Sequence, residues 1–160
     1  MRKVIFLDRD GVINNNALYY THRKEDFVIN KGVLEALKNM SSKGYEFIVI
    51  TNQGGISKGL FSKEEVEIVH DEMKKAFLKN GISILEIYFC PHHSEVENCL
   101  CRKPGTVMVE KAIARFNIDP GISYFIGDQV KDVETALACG LTPVRITPNT
   151  DLRLILDLIK

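Results

Sequence analysis

A chain of 160 residues, 45% hydrophobic and 26% charged, has the size and make-up of one globular domain with a substantial core. Lysine plus arginine equal aspartate plus glutamate at 21 each, so the formal net charge is zero, which argues against a non-specific nucleic-acid or acidic-membrane partner. No apolar stretch approaches the ~20 residues that span a bilayer, and Met1-Arg2-Lys3 enters the first apolar run without a signal peptide's apolar region, so the chain is expected in the cytoplasm.

Val4 to Leu7 is a run of four apolar residues and predicts a short strand buried on both faces. It ends in two carboxylates, Asp8 and Asp10, followed by Gly11. The segment from Asn15 to Asn30 is polar and aromatic without periodicity, and loops of that length are often functional. Gly32 to Lys43 predicts a helix through Val33, Leu34, Leu37 and Met40. Tyr45 to Ile50 predicts a second, central strand, which stops at the polar turn Thr51-Asn52-Gln53-Gly54-Gly55. Ser62-Lys63-Glu64-Glu65 has the form of a capping box, and the helix it opens carries Val66, Val69, Met73, Ala76 and Phe77 on a core stripe. Ile84 to Phe89 predicts a third strand, with a cysteine-rich loop after it. Thr106 to Phe116 predicts a helix, Ile122 to Ile126 a fourth strand ending at Gly127-Asp128, and Val130 to Ala138 a further helix. Pro143 makes Leu141 to Ile146 an edge strand, and Leu152 to Ile159 is expected as a short terminal helix. This alternation predicts an α/β fold, a Rossmann-like doubly wound parallel sheet, with residues 1–160 forming a single domain.

In such a sheet all strands deliver their carboxyl ends to one edge, where ligands sit. Three strands end in reactive groups: Asp8 and Asp10, Thr51 and Asn52, and Asp128 with Asp132; Lys103 lies in the loop after the third. Alone, each has an ordinary explanation, as a strand end, a surface lysine or a helix cap. Together they suit phosphoryl transfer. Asp8, Asp128 and the main-chain carbonyl of Asp10 can hold a hard cation such as Mg²⁺. The Thr51 hydroxyl and Lys103 ammonium can hold phosphoryl oxygens. Asp8 is placed to attack phosphorus while Asp10 protonates the leaving oxygen and then activates water.

The stretch Phe6-Leu7-Asp8-Arg9-Asp10-Gly11-Val12-Ile13-Asn14 resembles the first motif of the haloacid dehalogenase-like phosphatases. Thr51-Asn52-Gln53 resembles their second motif, Arg102-Lys103-Pro104 the third, and Gly127-Asp128 with Asp132 the fourth. The likeness is closest to the heptose 1,7-bisphosphate phosphatases and their relatives, the histidinol-phosphate phosphatases. It implies a capless, Mg²⁺-dependent phosphatase of carbohydrate metabolism, monomeric, acting on a phosphorylated small molecule. Asn52, Gln53, Arg102 and Gln129 would contact that substrate. The turn from Thr51 to Phe61 and the stretch from Tyr20 to Phe27 follow the heptose pattern, and Gln129 stands where lysine often follows Gly-Asp. Histidinol phosphate is the alternative substrate, and an inactive zinc-stabilised binding module the alternative of another class.

Four cysteines in a cytoplasmic chain are expected as thiols or metal ligands rather than disulfides. Cys90, His92, Cys99 and Cys101 form a complete tetrahedral zinc set with no open position. Their spacing alone also allows a group of reduced thiols, with His93 as a rival imidazole. The subfamily resemblance, which includes such a loop, implies a structural Zn²⁺ that aims Arg102 and Lys103. The short stretch His93 to Asn98 between the ligand pairs is nearer the histidinol-phosphate type. Cys139 is expected as a buried small residue.

Overall fold

The computed structural model describes residues 1–160. Five strands, β1 (Val4–Leu7), β2 (Glu46–Asn52), β3 (Ile84–Cys90), β4 (Tyr124–Gly127) and β5 (Thr142–Arg145), form one sheet in the order β3-β2-β1-β4-β5. Every pairing is parallel, with Ile5 of β1 opposite Phe47 on one side and Tyr124 on the other. Four helices supply the crossovers: α1 (Val33–Ser42), α2 (Lys63–Lys79), α3 (Val107–Phe116) and α4 (Val130–Ala138).

Alternation along β1 divides the interior. Ile5 and Leu7 enter one apolar cluster with Val33, Leu37 and Met40 of α1 and Met73 and Phe77 of α2. Val4 and Phe6 enter the other, with Met108, Val109 and Ala112 of α3 and Ala136 of α4. All four β1 side chains are fully buried, as an uninterrupted apolar run demands of a strand covered on both faces.

The expected capping box is present: Ser62 Oγ accepts from Glu65 N at 3.1 Å, and Glu65 Oε2 accepts from Ser62 N at 2.8 Å. Pro143 sits in β5 at the sheet edge, where its missing N–H removes no ladder bond. The terminal segment is also helical. It forms the expected short helix over Leu152–Leu158, and the helix is of the 3-10 type. Leu152 and Ile155, three apart, are its buried pair, and they share a core cluster with α1.

The chain leaves β1 toward β2 and β3, then returns to place β4 on the opposite flank of β1. The order of strands therefore reverses at β1, and the crevice beyond its carboxyl end is the ligand position for this topology. No domain is inserted between β1 and α1; a 3-10 turn at Lys24–Asp26 is the only regular element there.

Candidate active site

The amide of Asp8 donates to Ile126 O at 3.0 Å, so Asp8 is fixed against β4 as β1 ends. Gly11 has φ +85°, and a Cβ there would lie 2.6 Å from Asp128 Oδ2. Only glycine lets the loop pass this close to the carboxylate at the end of β4. Gly127 plays the matching part, since a Cβ on it would stand 2.3 Å from the Cβ of Asp132.

Lys103, fully enclosed, is the hub of the site. Its Nζ lies 3.0 Å from Asp8 Oδ1 and 2.7 Å from Asp132 Oδ1, and it donates to Ile50 O at 3.0 Å. Burial works against its charge, but Asp8 and Asp132 outweigh burial and hold it above the ordinary lysine range. Asp8 feels the same burial. Its carboxyl is pushed up to about 7, because desolvation and the neighbouring Asp132 and Asp10 together exceed the pull of Lys103. Two carboxylates, Asp8 and Asp132, thus crowd around one ammonium.

Asp10 has different surroundings. Oδ1 accepts from Asn14 Nδ2 at 3.0 Å, Oδ2 accepts from Gln53 Nε2 at 3.0 Å, and Arg9 Nη2 reaches both oxygens at 2.9 and 3.1 Å. Gln53 Nε2 also donates to Thr51 Oγ1 at 2.9 Å. Asp10 is thus a carboxylate aimed by three side chains rather than buried among like charges. Its main-chain carbonyl accepts no hydrogen bond.

Asp8, Asp128 and Asp132 place carboxylate oxygens within 4.8 Å of one another. Asp128 Oδ1 is buried without a hydrogen-bond partner, and burial, with Asp132 beside it, raises the Asp128 pKa. Oxygen-only donors with excess negative charge fit a hard divalent cation. A second cluster is soft. Cys90, His92, Cys99 and Cys101 bring three Sγ and His92 Nδ1 within 4.8 Å. Cys90 Sγ lies 3.6 Å from Cys99 Sγ, and His92 Nδ1 lies 3.5 Å from Cys90 Sγ and 3.2 Å from Cys101 Sγ. Cys101 Sγ stands closer, 3.0 Å from Cys90 Sγ, inside the roughly 3.5–3.8 Å edges of a zinc tetrahedron with Zn–S of about 2.3 Å; the fit to that ion lies in the donor chemistry, three thiols and an imidazole converging on one point. Cys99 Sγ also accepts from the Arg102 amide at 3.4 Å, a typical support for a metal-bound sulfur.

These groups surround a polar cleft of about 190 Å³. Asp8, Asp10, Asn52, Gln53, Arg102, Lys103 and Gln129 all line it, as expected; Thr51 is buried just behind, against Gln53. Asn52 faces the cleft, but its amide is engaged with the backbone of Lys103, donating to O at 3.2 Å and accepting from N at 3.0 Å. That grip ties the loop after β3 to β2. Arg102 Nη1 donates to His92 O at 3.0 Å, which links the cysteine loop directly to the cleft wall. His93 stays outside the cysteine cluster and lines the cleft. Sequence reading missed Lys131, Tyr19 and Tyr20, which line the same cleft. The signal for Lys131 was its position two residues after Gln129, on the first turn of α4; the tyrosines lay in the long loop, where the likeness of Tyr20 to Phe27 to the heptose pattern was the signal for Tyr20.

A family model described as polynucleotide kinase 3 phosphatase matches residues 3–139. The D-glycero-alpha-D-manno-heptose-1,7-bisphosphate 7-phosphatase of Photorhabdus laumondii is 37% identical over 87% of this chain and 79% of its own length. The D-glycero-beta-D-manno-heptose-1,7-bisphosphate 7-phosphatase of Vibrio cholerae is 39% identical over 88% of this chain and 78% of its own length. The chain belongs to the haloacid dehalogenase-like phosphatases. Among solved members, D,D-heptose 1,7-bisphosphate phosphatase from B. bronchiseptica, crystallised with magnesium and phosphate, superposes with a TM-score of 0.85 at 28% identity. That match covers 98% of this chain and 86% of the other. Membership in the haloacid dehalogenase-like phosphatases accounts for the joint placement of four separated motifs at one sheet edge.

Proposed function

We propose that this chain is a Mg²⁺-dependent phosphatase that removes the 7-phosphate of D-glycero-D-manno-heptose 1,7-bisphosphate through an aspartyl-phosphate on Asp8. The reading rests chiefly on the names its relatives share over 86–88% of this chain. A cleft with Arg102 and Lys131 beyond the central Lys103 supports it. Asp8 attacks phosphorus as the bond to the sugar oxygen breaks, and Asp10 gives that oxygen its proton. Asp10 then takes a proton from water, which attacks the phosphorus, and inorganic phosphate leaves with Asp8 restored. Lys103 neutralises the oxygens of the transferred group, and the Thr51 hydroxyl adds a donor. Asp8, Asp128 and the Asp10 carbonyl would hold Mg²⁺, which supplies further charge neutralisation for the phosphoryl group when bound. Cys90, His92, Cys99 and Cys101 would hold a structural Zn²⁺.

Arg102, anchored on the zinc loop, recognises the second phosphate, with Lys131 as its companion cation. Three cations around the cleft disfavour the amine of histidinol phosphate. Zero net charge, with surface cations such as Arg2, Lys63, Lys75 and Arg115 paired with carboxylates and only Arg102, Lys103 and Lys131 lining the small cleft, disfavours the polynucleotide substrate in the family model's description. A cytoplasmic setting fits cysteines gathered as metal ligands rather than paired in disulfides. The test is kcat/KM for phosphate release, with and without Mg²⁺, from the heptose bisphosphate, histidinol phosphate and a 3′-phosphorylated oligonucleotide. The heptose bisphosphate is expected to lead by at least about tenfold, the discrimination that one well-placed charged contact provides. Preference for either rival would overturn the substrate assignment.

A further inference from the structure

Arg9, the residue between the two site aspartates, is fully buried, an uncommon place for a guanidinium. Its donors are distributed in three directions. Nε and Nη2 bind Asp10, Nη2 donates to Thr21 O at 2.7 Å, and Nη1 meets His70 Nε2 at 3.3 Å. His70 projects from the buried face of α2, is 4% exposed, and stands edge-on to Phe89 with ring centroids 5.6 Å apart. An arginine has donors only, so Nε2 of His70 must be the acceptor and its proton must sit on Nδ1. Burial, with Arg9 adjacent, pushes the His70 pKa down to about 3 and keeps the ring neutral.

We propose that His70 is a positioning residue for the general acid–base. It accepts from Arg9, fixes the guanidinium plane, and through it orients the Asp10 carboxyl toward the leaving oxygen. Packing of α2 is thereby transmitted to the proton donor across two side chains. The proposal rests on the role assigned to Asp10 above. It predicts a specific kind of defect. An alkyl phosphate needs a proton from Asp10 on its leaving oxygen as the phosphorus–oxygen bond breaks. An aryl phosphate with a stable phenolate leaving group does not.

The experiment compares kcat/KM, which reports phosphoryl transfer to Asp8, for the sugar bisphosphate and for p-nitrophenyl phosphate. His70→Phe and His70→Leu, which lack an acceptor, are compared with His70→Gln, which keeps one. Asp10→Asn is run alongside. The acceptor-less variants are expected to lose about tenfold or more on the sugar phosphate, part of the 10²–10⁴ that a general acid contributes, and less than about threefold on the aryl phosphate. His70→Gln is expected to keep a substrate ratio close to that of the parent protein. If Asp10→Asn discriminates between the substrates but the acceptor-less variants lose equally on both, the positioning role is wrong and the Asp10 assignment stands. The positioning role is equally wrong if His70→Gln behaves like the acceptor-less variants. If Asp10→Asn itself fails to discriminate, the Asp10 assignment falls and the role of His70 with it.

Discussion

Asp8 and Asp10 stand two residues apart, yet the fold gives them opposite surroundings. Asp8 is enclosed with Lys103 and two further carboxylates, whereas Asp10 faces the cleft and is gripped by Arg9, Asn14 and Gln53. Such unequal environments allow two carboxyls to take different parts in one reaction. Asp8→Asn is nearly isosteric and is expected to abolish turnover while leaving the melting temperature close to the parent's or higher, since a buried carboxylate is removed. Residual turnover above trace level would contradict a nucleophilic Asp8. Asp10→Asn is expected to lower kcat about 10²–10⁴-fold. Arg102 is singled out by its neighbours in sequence, Cys101 and Lys103, and it does line the cleft. Arg102→Ala is expected to lower kcat/KM for the bisphosphate about 10–100-fold, the worth of a charge-assisted hydrogen bond, and that for a small monophosphate far less. Equal losses on the two would place Arg102 on the transferred group instead.

Two elements carry most of the support. In the cysteine loop, alternating spacing points to Cys90 with His92 and Cys99 with Cys101, and those four donors converge. What spacing leaves open is His92 against His93; the backbone turns the first ring inward and the second toward the cleft. Cys99→Ser or Cys101→Ser is expected to lower both zinc content, read by elemental analysis, and thermal stability. His92→Ala is expected to release zinc and His93→Ala to retain it. In α2, the apolar stripe is legible at helical spacing, but His70 among it carries no mark of its partnership with Arg9, 61 residues away. Its buried neutral state has a consequence for stability. From its ordinary value of 6.5 down to about 3, the unfolded chain binds a proton at His70 that the folded chain refuses. That stability is complete above pH 6.5 and declines as pH falls, by about 2 kcal/mol at pH 5. Denaturant titrations at pH 7 and pH 5 are therefore expected to show a smaller loss for His70→Gln than for the parent. A loss as large in the variant would mean that His70 is not the group responsible.

Across the whole molecule, periodicity and glycine stops are enough to find every strand and α-helix within about two residues. They do not encode the sheet order. That order, β3-β2-β1-β4-β5, sets the reversal beside β1 and so gathers Asp8, Thr51, Lys103 and Asp128 from segments up to 120 residues apart. The motifs at Asp8, Thr51 and Asp128 are readable because each closes a strand, and Lys103 because it follows the cysteine cluster; Lys131 and the Arg9–His70 contact are not, because they depend on helix orientation and long-range packing. The terminal helix is legible in the sequence but its 3-10 type is not, as its short apolar spacing fits either helix type. The central claim is that this geometry makes Asp8 the covalent acceptor of the phosphoryl group. It is tested most directly by rapid acid quench of the enzyme mixed with ³²P-labelled bisphosphate and Mg²⁺, followed by peptide mapping. The label is expected on the peptide containing Asp8, in the parent and not in Asp8→Asn. Label on another residue, or turnover with no protein-bound label at any quench time, would contradict it.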